Sequence, residues 1–136
     1  MSTRLNPYLN FPGSCKEAME FYQEVLGGDL KLTTFGEFGS DDAATKDQIM
    51  HALLETPAGF TIMASDLPPG MEHQPGQNIS ISISGEDADA LRGYWDKLAA
   101  KGTVTMALEK QMWGDEYGSC VDQFGVPWMI DIVHPQ

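Results

Sequence analysis

Five side chains in this 136-residue sequence are the candidates for holding a metal. His51, Glu55, Asp66, Asp122 and Asp131 offer the imidazole and carboxylate lone pairs that a hard or borderline divalent cation needs. Scattered over 81 positions, they could assemble only an irregular site. Cys15 stands at the start of a predicted helix, where the dipole can lower a thiol's pKa, but no companion base is near it in the sequence. No GxSxG elbow, HExxH pair, phosphate-cradling glycine loop or dinucleotide fingerprint occurs. His73 and His134 fall in a linker and at the tail, where exposure is expected, and Asp122 beside a turn reads as turn chemistry.

The stretch MWGDEYGSCVDQFGVPWMIDI, residues 112–132, concentrates Trp, Met, Tyr and Phe. Such residues build either a core or the wall of a small-molecule cavity. Composition does not separate the two.

The elements that would position these residues repeat. SCKEAMEFYQEVLGG opens on Ser14, an N-cap with Glu17 three residues later, and places Ala18, Phe21, Tyr22, Val25 and Leu26 at helical spacing before Gly27-Gly28, which predicts a helix over about residues 15–26. GEDADALRGYWDKLAAKG predicts a second, with acids in its first turn, Leu91, Tyr94, Trp95 and Leu98 on one face, and Gly102 as its stop. LNPYLNF precedes the first helix, and LKLTTF, QIMHALLET and FTIMAS follow it. NISISIS precedes the second, and TVTMALE, YGSCVDQ and VPWMIDIV follow. The order β-α-β-β-β occurs twice. Placing Gly59 on Gly125 puts His51 on Tyr117 and Met63 on Met129. In NISISIS, Ile79, Ile81 and Ile83 should pack beneath a helix, leaving Asn78, Ser80, Ser82 and Ser84 on the other face.

The expected organisation is one α+β domain over residues 1–136, with a first module at 4–66, a Pro/Gly-rich linker at 67–76 and a second module at 77–134. Eight basic against twenty acidic side chains give a net charge of −12, whose field repels nucleic acid and anionic membrane surfaces. Two isolated cysteines and the absence of an apolar leader or spanning segment lead to the expectation of a cytoplasmic protein with reduced thiols.

PYLNFPGSCKEAMEFYQEVLGG, IMHALLE, FTIMASD and WGDEYGSCVDQFGVPWMI resemble the PhnB-like branch of the vicinal oxygen chelate superfamily, which also holds glyoxalase I, extradiol dioxygenases and bleomycin-resistance proteins. The resemblance implies two βαβββ modules, sheets curled around a cavity, and a homodimer. Enzymes of the superfamily hold a divalent cation with His and Glu on the first and last strand of each repeat. Carried over, those positions fall on Asn6 or Pro7, Met63, Asn78 and Met129, none of them a good ligand. The methyltransferase label common in this branch does not carry over, because nothing resembles a nucleotide-methyl donor site.

With Met63 and Met129 facing inward, His51 and Asp131 share that parity, while Ile62, Trp128, Ile130 and Ile132 turn beneath the helices. The inner surface is then expected from Tyr8, Asn10, His51, Met63, Asn78, Ser80, Tyr117 and Met129, with Phe35, Phe38, Met112 and Trp113 at its rim. Three readings remain open. The first is a metal-free, cofactor-free binding protein for a flat, partly apolar or aromatic molecule, as in the antibiotic-sequestering members. The second is a glyoxalase-like or dioxygenase-like enzyme with a displaced metal site. The third is a structural dimer with a vestigial cavity.

Overall fold

The computed structural model describes residues 3–39, 41–68, 70–76 and 78–134; Pro69 of the expected linker and Gln77, expected to open the second module, lie outside the described residues. The chain divides into two compact units, Met1–Gln74 and Pro75–Gln136.

The first unit runs β1 (Tyr8–Phe11), α1 (Cys15–Leu26), β2 (Asp29–Thr34), a 3₁₀ turn (Gly36–Phe38), β3 (Ile49–Glu55) and β4 (Thr61–Asp66). Its sheet has the order β1-β4-β3-β2, with β1 parallel to β4 and the other pairs antiparallel. The second unit repeats this with β5 (Ile81–Gly85), α2 (Ala88–Ala100), β6 (Thr103–Lys110), β7 (Glu116–Val121) and β8 (Pro127–Ile132). Its sheet order is β5-β8-β7-β6, and β5 runs parallel to β8. The class is α+β: a four-stranded mixed sheet with one helix, twice.

In the first unit, Ala18, Met19, Tyr22, Val25 and Leu26 form the buried stripe of α1, which packs on β2, β3 and β4. It meets Ala52, Leu54, Ile62 and Ala64, the alternate buried residues of β3 and β4. In the second unit, α2 lies on β5, β7 and β8 and buries Leu91 and Leu98 over Trp128, Ile130 and Ile132. Gly118 on β7 makes room for this packing, since a Cβ there would stand 2.9 Å from the Trp95 ring and from the Leu108 Cα.

The two units share close backbone approaches. A Cβ on Gly28 would lie 2.2 Å from the Glu55 carbonyl oxygen, and one on Gly102 would lie 2.3 Å from that of Val121. Only glycine lets the chain leave each helix and enter the next strand so close to its neighbour. The turns Thr56–Gly59 and Asp122–Gly125 also match, each closed by a glycine N–H donating 3.0 Å back to the first residue's carbonyl.

Two expectations are corrected. Ser14 occupies the N-cap position of α1, but its side chain makes no capping bond. Asp66, 51 residues beyond Cys15, does that work: its Oδ1 accepts from the Gly13 and Cys15 amides at 3.0 and 2.9 Å, and its Oδ2 from the Ile49 amide at 2.8 Å. The fifth strand is also shorter than NISISIS. It begins at Ile81, opposite Trp128, and Ile79 is 76% exposed. Alternation sets parity, but a strand extends only as far as its partner, and β8 begins at Pro127.

Candidate functional site

In each unit the sheet face turned from the helix carries the residues that burial leaves partly open. On the first sheet, one row crosses the strands as Tyr8, Met63, Leu53 and Lys31. The next contains Asn10 beside Ser65 and His51 beside Thr33. On the second sheet the corresponding rows are Ser82, Met129, Ser119 and Met106, then Ser84, Asp131, Tyr117 and Glu109.

The register therefore keeps Tyr8, Asn10, His51 and Met63 on one face of the first sheet, and Tyr117 and Met129 on one face of the second. Asn78 and Ser80 do not join them; both are exposed and precede β5. Their places beside Met129 and Asp131 belong to Ser82 and Ser84. The sequence held the signal: Tyr8 and Ser82 stand 74 positions apart, as do Gly28 and Gly102. Phe35 leads into the 3₁₀ turn, on which Phe38 is 68% exposed. Met112 and Trp113 lie in the β6–β7 turn, fully and 56% exposed, and the Trp113 and Tyr117 ring centroids are 6.5 Å apart at 60°.

The donors expected of a metal centre do not fit one. The same register moves the first-strand position from Asn6 or Pro7 to Tyr8, the partner of Met63, and the fifth-strand position from Asn78 to Ser82, the partner of Met129. A phenol, a hydroxyl and two thioethers make a poor set for a hard or borderline divalent cation. The scattered alternatives are engaged elsewhere. Asp66 holds three amides, and Asp122 accepts from the Phe124 and Val126 amides and, at 2.8 Å, from the Trp128 indole N–H. Glu55 faces Arg4 at 3.6 Å. His134 bonds Glu116 at 2.8 Å, and His73 is exposed. Among the described residues no three His, Cys, Asp or Glu side chains converge.

His51 is half-buried, with its Nδ1 3.5 Å from the Tyr8 hydroxyl, a long contact. Cys15 is fully buried, and desolvation with the nearby Asp66 charge pushes its thiol up to about 12, the reverse of activation. Burial and Asp122 likewise push Cys120 up to about 11. Asp131 differs from Asp66 and Asp122, whose oxygens accept amide or indole N–H bonds. Its Oδ1 is enclosed without a hydrogen-bond donor, and burial together with the Asp115 carboxyl raises its pKa. Sequence reading passed over Asp115 because it sits outside the strands.

The family model of the Glyoxalase/Bleomycin resistance protein/Dioxygenase superfamily matches residues 4–130. The chain belongs to this superfamily. Protein YjdN of Escherichia coli is 34% identical over 97% of both chains. The crystal structure of protein PA1353 from Pseudomonas aeruginosa is 35% identical, covers 96% of this chain and 98% of its own, and superposes with a TM-score of 0.86. The PhnB protein from Bacillus cereus, described as a putative 3-demethylubiquinone-9 3-methyltransferase, covers 96% of this chain and 100% of its own at 19% identity and TM-score 0.73. That last likeness is one of fold alone. Among the described residues, no helix is long and apolar enough to cross a membrane.

Proposed function

We propose that this superfamily member binds a flat, partly apolar small molecule on the helix-free sheet faces without using a metal, and does so as a homodimer. The observation that carries the reading is the placing of Met63 and Met129 at matched positions of the two sheets, half-buried and flanked by Tyr8 and Ser82 instead of ligating side chains. Methionine adapts to irregular apolar surfaces, and the nearby Tyr117 and Trp113 rings suit a planar ligand. Exposed Val104 and Met106 on edge strand β6 support self-association.

Titration of the purified protein with polycyclic aromatic probes, followed by tryptophan fluorescence, tests this. A saturable change that Trp113→Ala weakens by about 2 kcal/mol is expected if Trp113 is a binding hot spot. One tightly held Zn, Ni, Mn or Fe per chain, lost on His51→Ala, would instead establish the enzyme reading with a displaced metal. Sedimentation as a monomer at micromolar concentration would remove the dimer.

A further inference from the structure

The helix-free faces of the two sheets match in plan and differ in charge. With Gly59 placed on Gly125, Ser65 corresponds to Asp131 and His51 to Tyr117. On the first sheet the Ser65 hydroxyl donates to the Asn10 Oδ1 at 3.3 Å, and Thr33 stands beside His51. On the second, Asp131 stands between Ser84 of β5 and Tyr117 of β7, with Glu109 of β6 beyond. Carboxylates thus occupy places that hydroxyls hold in the first sheet.

Among the described residues of the second unit, the basic side chains stand elsewhere. Arg92 and Lys97 belong to α2, Lys101 to its C-terminal end, and Lys110 to a ladder position opposite Glu116. Glu116 in turn faces the buried Ile132, and both Arg92 and His134 bind it, so these charges serve the helix side. Asp131 is half-buried, and its enclosed Oδ1 meets no N–H or hydroxyl donor. Burial first, and then the Asp115 charge, raise its pKa, the direction expected of a carboxylate without a compensating cation. A charged donor stabilises such a group about twice as strongly as a neutral one.

Aromatic rings complete the setting. Tyr117 is the ladder partner of Asp131, and its ring centroid lies 6.5 Å from that of the exposed Trp113. Aromatic faces attract cations as well as flat apolar surfaces. Resting on the binding function proposed above, we infer that the ligand of the second sheet is a planar aromatic cation whose N–H groups donate to the Asp131 carboxylate while its ring lies by Tyr117 and Trp113. Glu109, at the exposed edge of the same row, adds attraction for the positive charge. The first sheet, with Ser65 and Thr33 at the matching places, has no such preference there.

Fluorescence titration of the full chain at neutral pH with three probes of one ring size tests this: 9-aminoacridine, a cation with N–H donors; acridine, its neutral counterpart; and anthracene-9-carboxylate, an anion. 9-Aminoacridine should bind about tenfold or more tightly than acridine, and the anion most weakly. Asp131→Asn, of nearly the same shape, should abolish that preference and leave the acridine affinity unchanged. Glu109→Gln should reduce the preference by about twofold, as an exposed charge does. It alters only the edge strand, so the charge effect stays readable if Asp131→Asn disturbs the sheet. Glu20→Gln, exposed on α1, should change nothing, which separates a local effect from the net charge of −12. Acridine binding as tightly as 9-aminoacridine, or a preference that survives Asp131→Asn, would overturn the inference and leave the binding function standing. If none of the three probes binds, that function fails and the inference fails with it.

Discussion

The two sheets share one backbone plan but use an aspartate of their last strands, Asp66 on β4 and Asp131 on β8, in opposite ways. In the first, Asp66 is 1% exposed and both its oxygens accept amide N–H bonds, which fixes the start of α1 and the start of β3. In the second, Asp131 lies on the face away from the helix, with one oxygen enclosed and undonated. A buried carboxylate is stable in proportion to the donors that meet it. The first aspartate is therefore structural, and the second keeps an enclosed oxygen that no donor meets.

The strongest way to break the comparison is through the helix-side layer that both units share. Trp128→Ala should cost about 3–5 kcal/mol, because the ring is 1% exposed and its N–H bonds Asp122. A denaturant melt that found less than 1 kcal/mol would place Trp128 outside the core and reverse the parity of β8.

Asp66→Asn should come next, at about 3 kcal/mol, since an amide cannot accept all three bonds and turns an N–H toward backbone donors. Asp131→Asn should leave stability at neutral pH unchanged or slightly raised. If the two variants lost equal stability in parallel melts, the contrast between the aspartates would fail.

Trp113→Ala should cost under about 1 kcal/mol, in keeping with a 56% exposed ring, while altering ligand response. The smallest effect is the change of stability with pH. With its folded pKa above its unfolded one, Asp131 contributes stability that is fully present below the ordinary aspartate value and lost as pH rises through the raised one. Melting temperatures taken from acid to neutral pH should show this slope in the wild type and a flatter one in Asp131→Asn.

Much of the fold was legible because its signals are local. The apolar period and the Gly27-Gly28 stop mark α1, and the turn glycines Gly59 and Gly125 align the hairpins of the two units. What escaped was set by partners distant in the chain. Nothing near Ser14 shows that Asp66 will cap the helix, and nothing in NISISIS shows that the ladder starts only at Ile81. The face residues divide in the same way: Tyr8, His51, Met63, Tyr117 and Met129 follow from strand parity, whereas Ser82, Ser84 and Asp115 needed the sheet register or a turn's path.

The source of each helix cap also orders the assembly of the chain in time. Asp87 caps α2 from the adjacent position, accepting the Ala90 amide at 3.2 Å, so that helix carries its own start signal. The first helix must wait for β4 to deliver Asp66 across a long loop. During synthesis α1 emerges first, yet its N-terminal turn is secured only after the strands that follow it have paired. A peptide spanning residues 86–101 should hold more helix in isolation than one spanning 13–27, and the early folding events of the first unit should be the β2–β3–β4 hairpins.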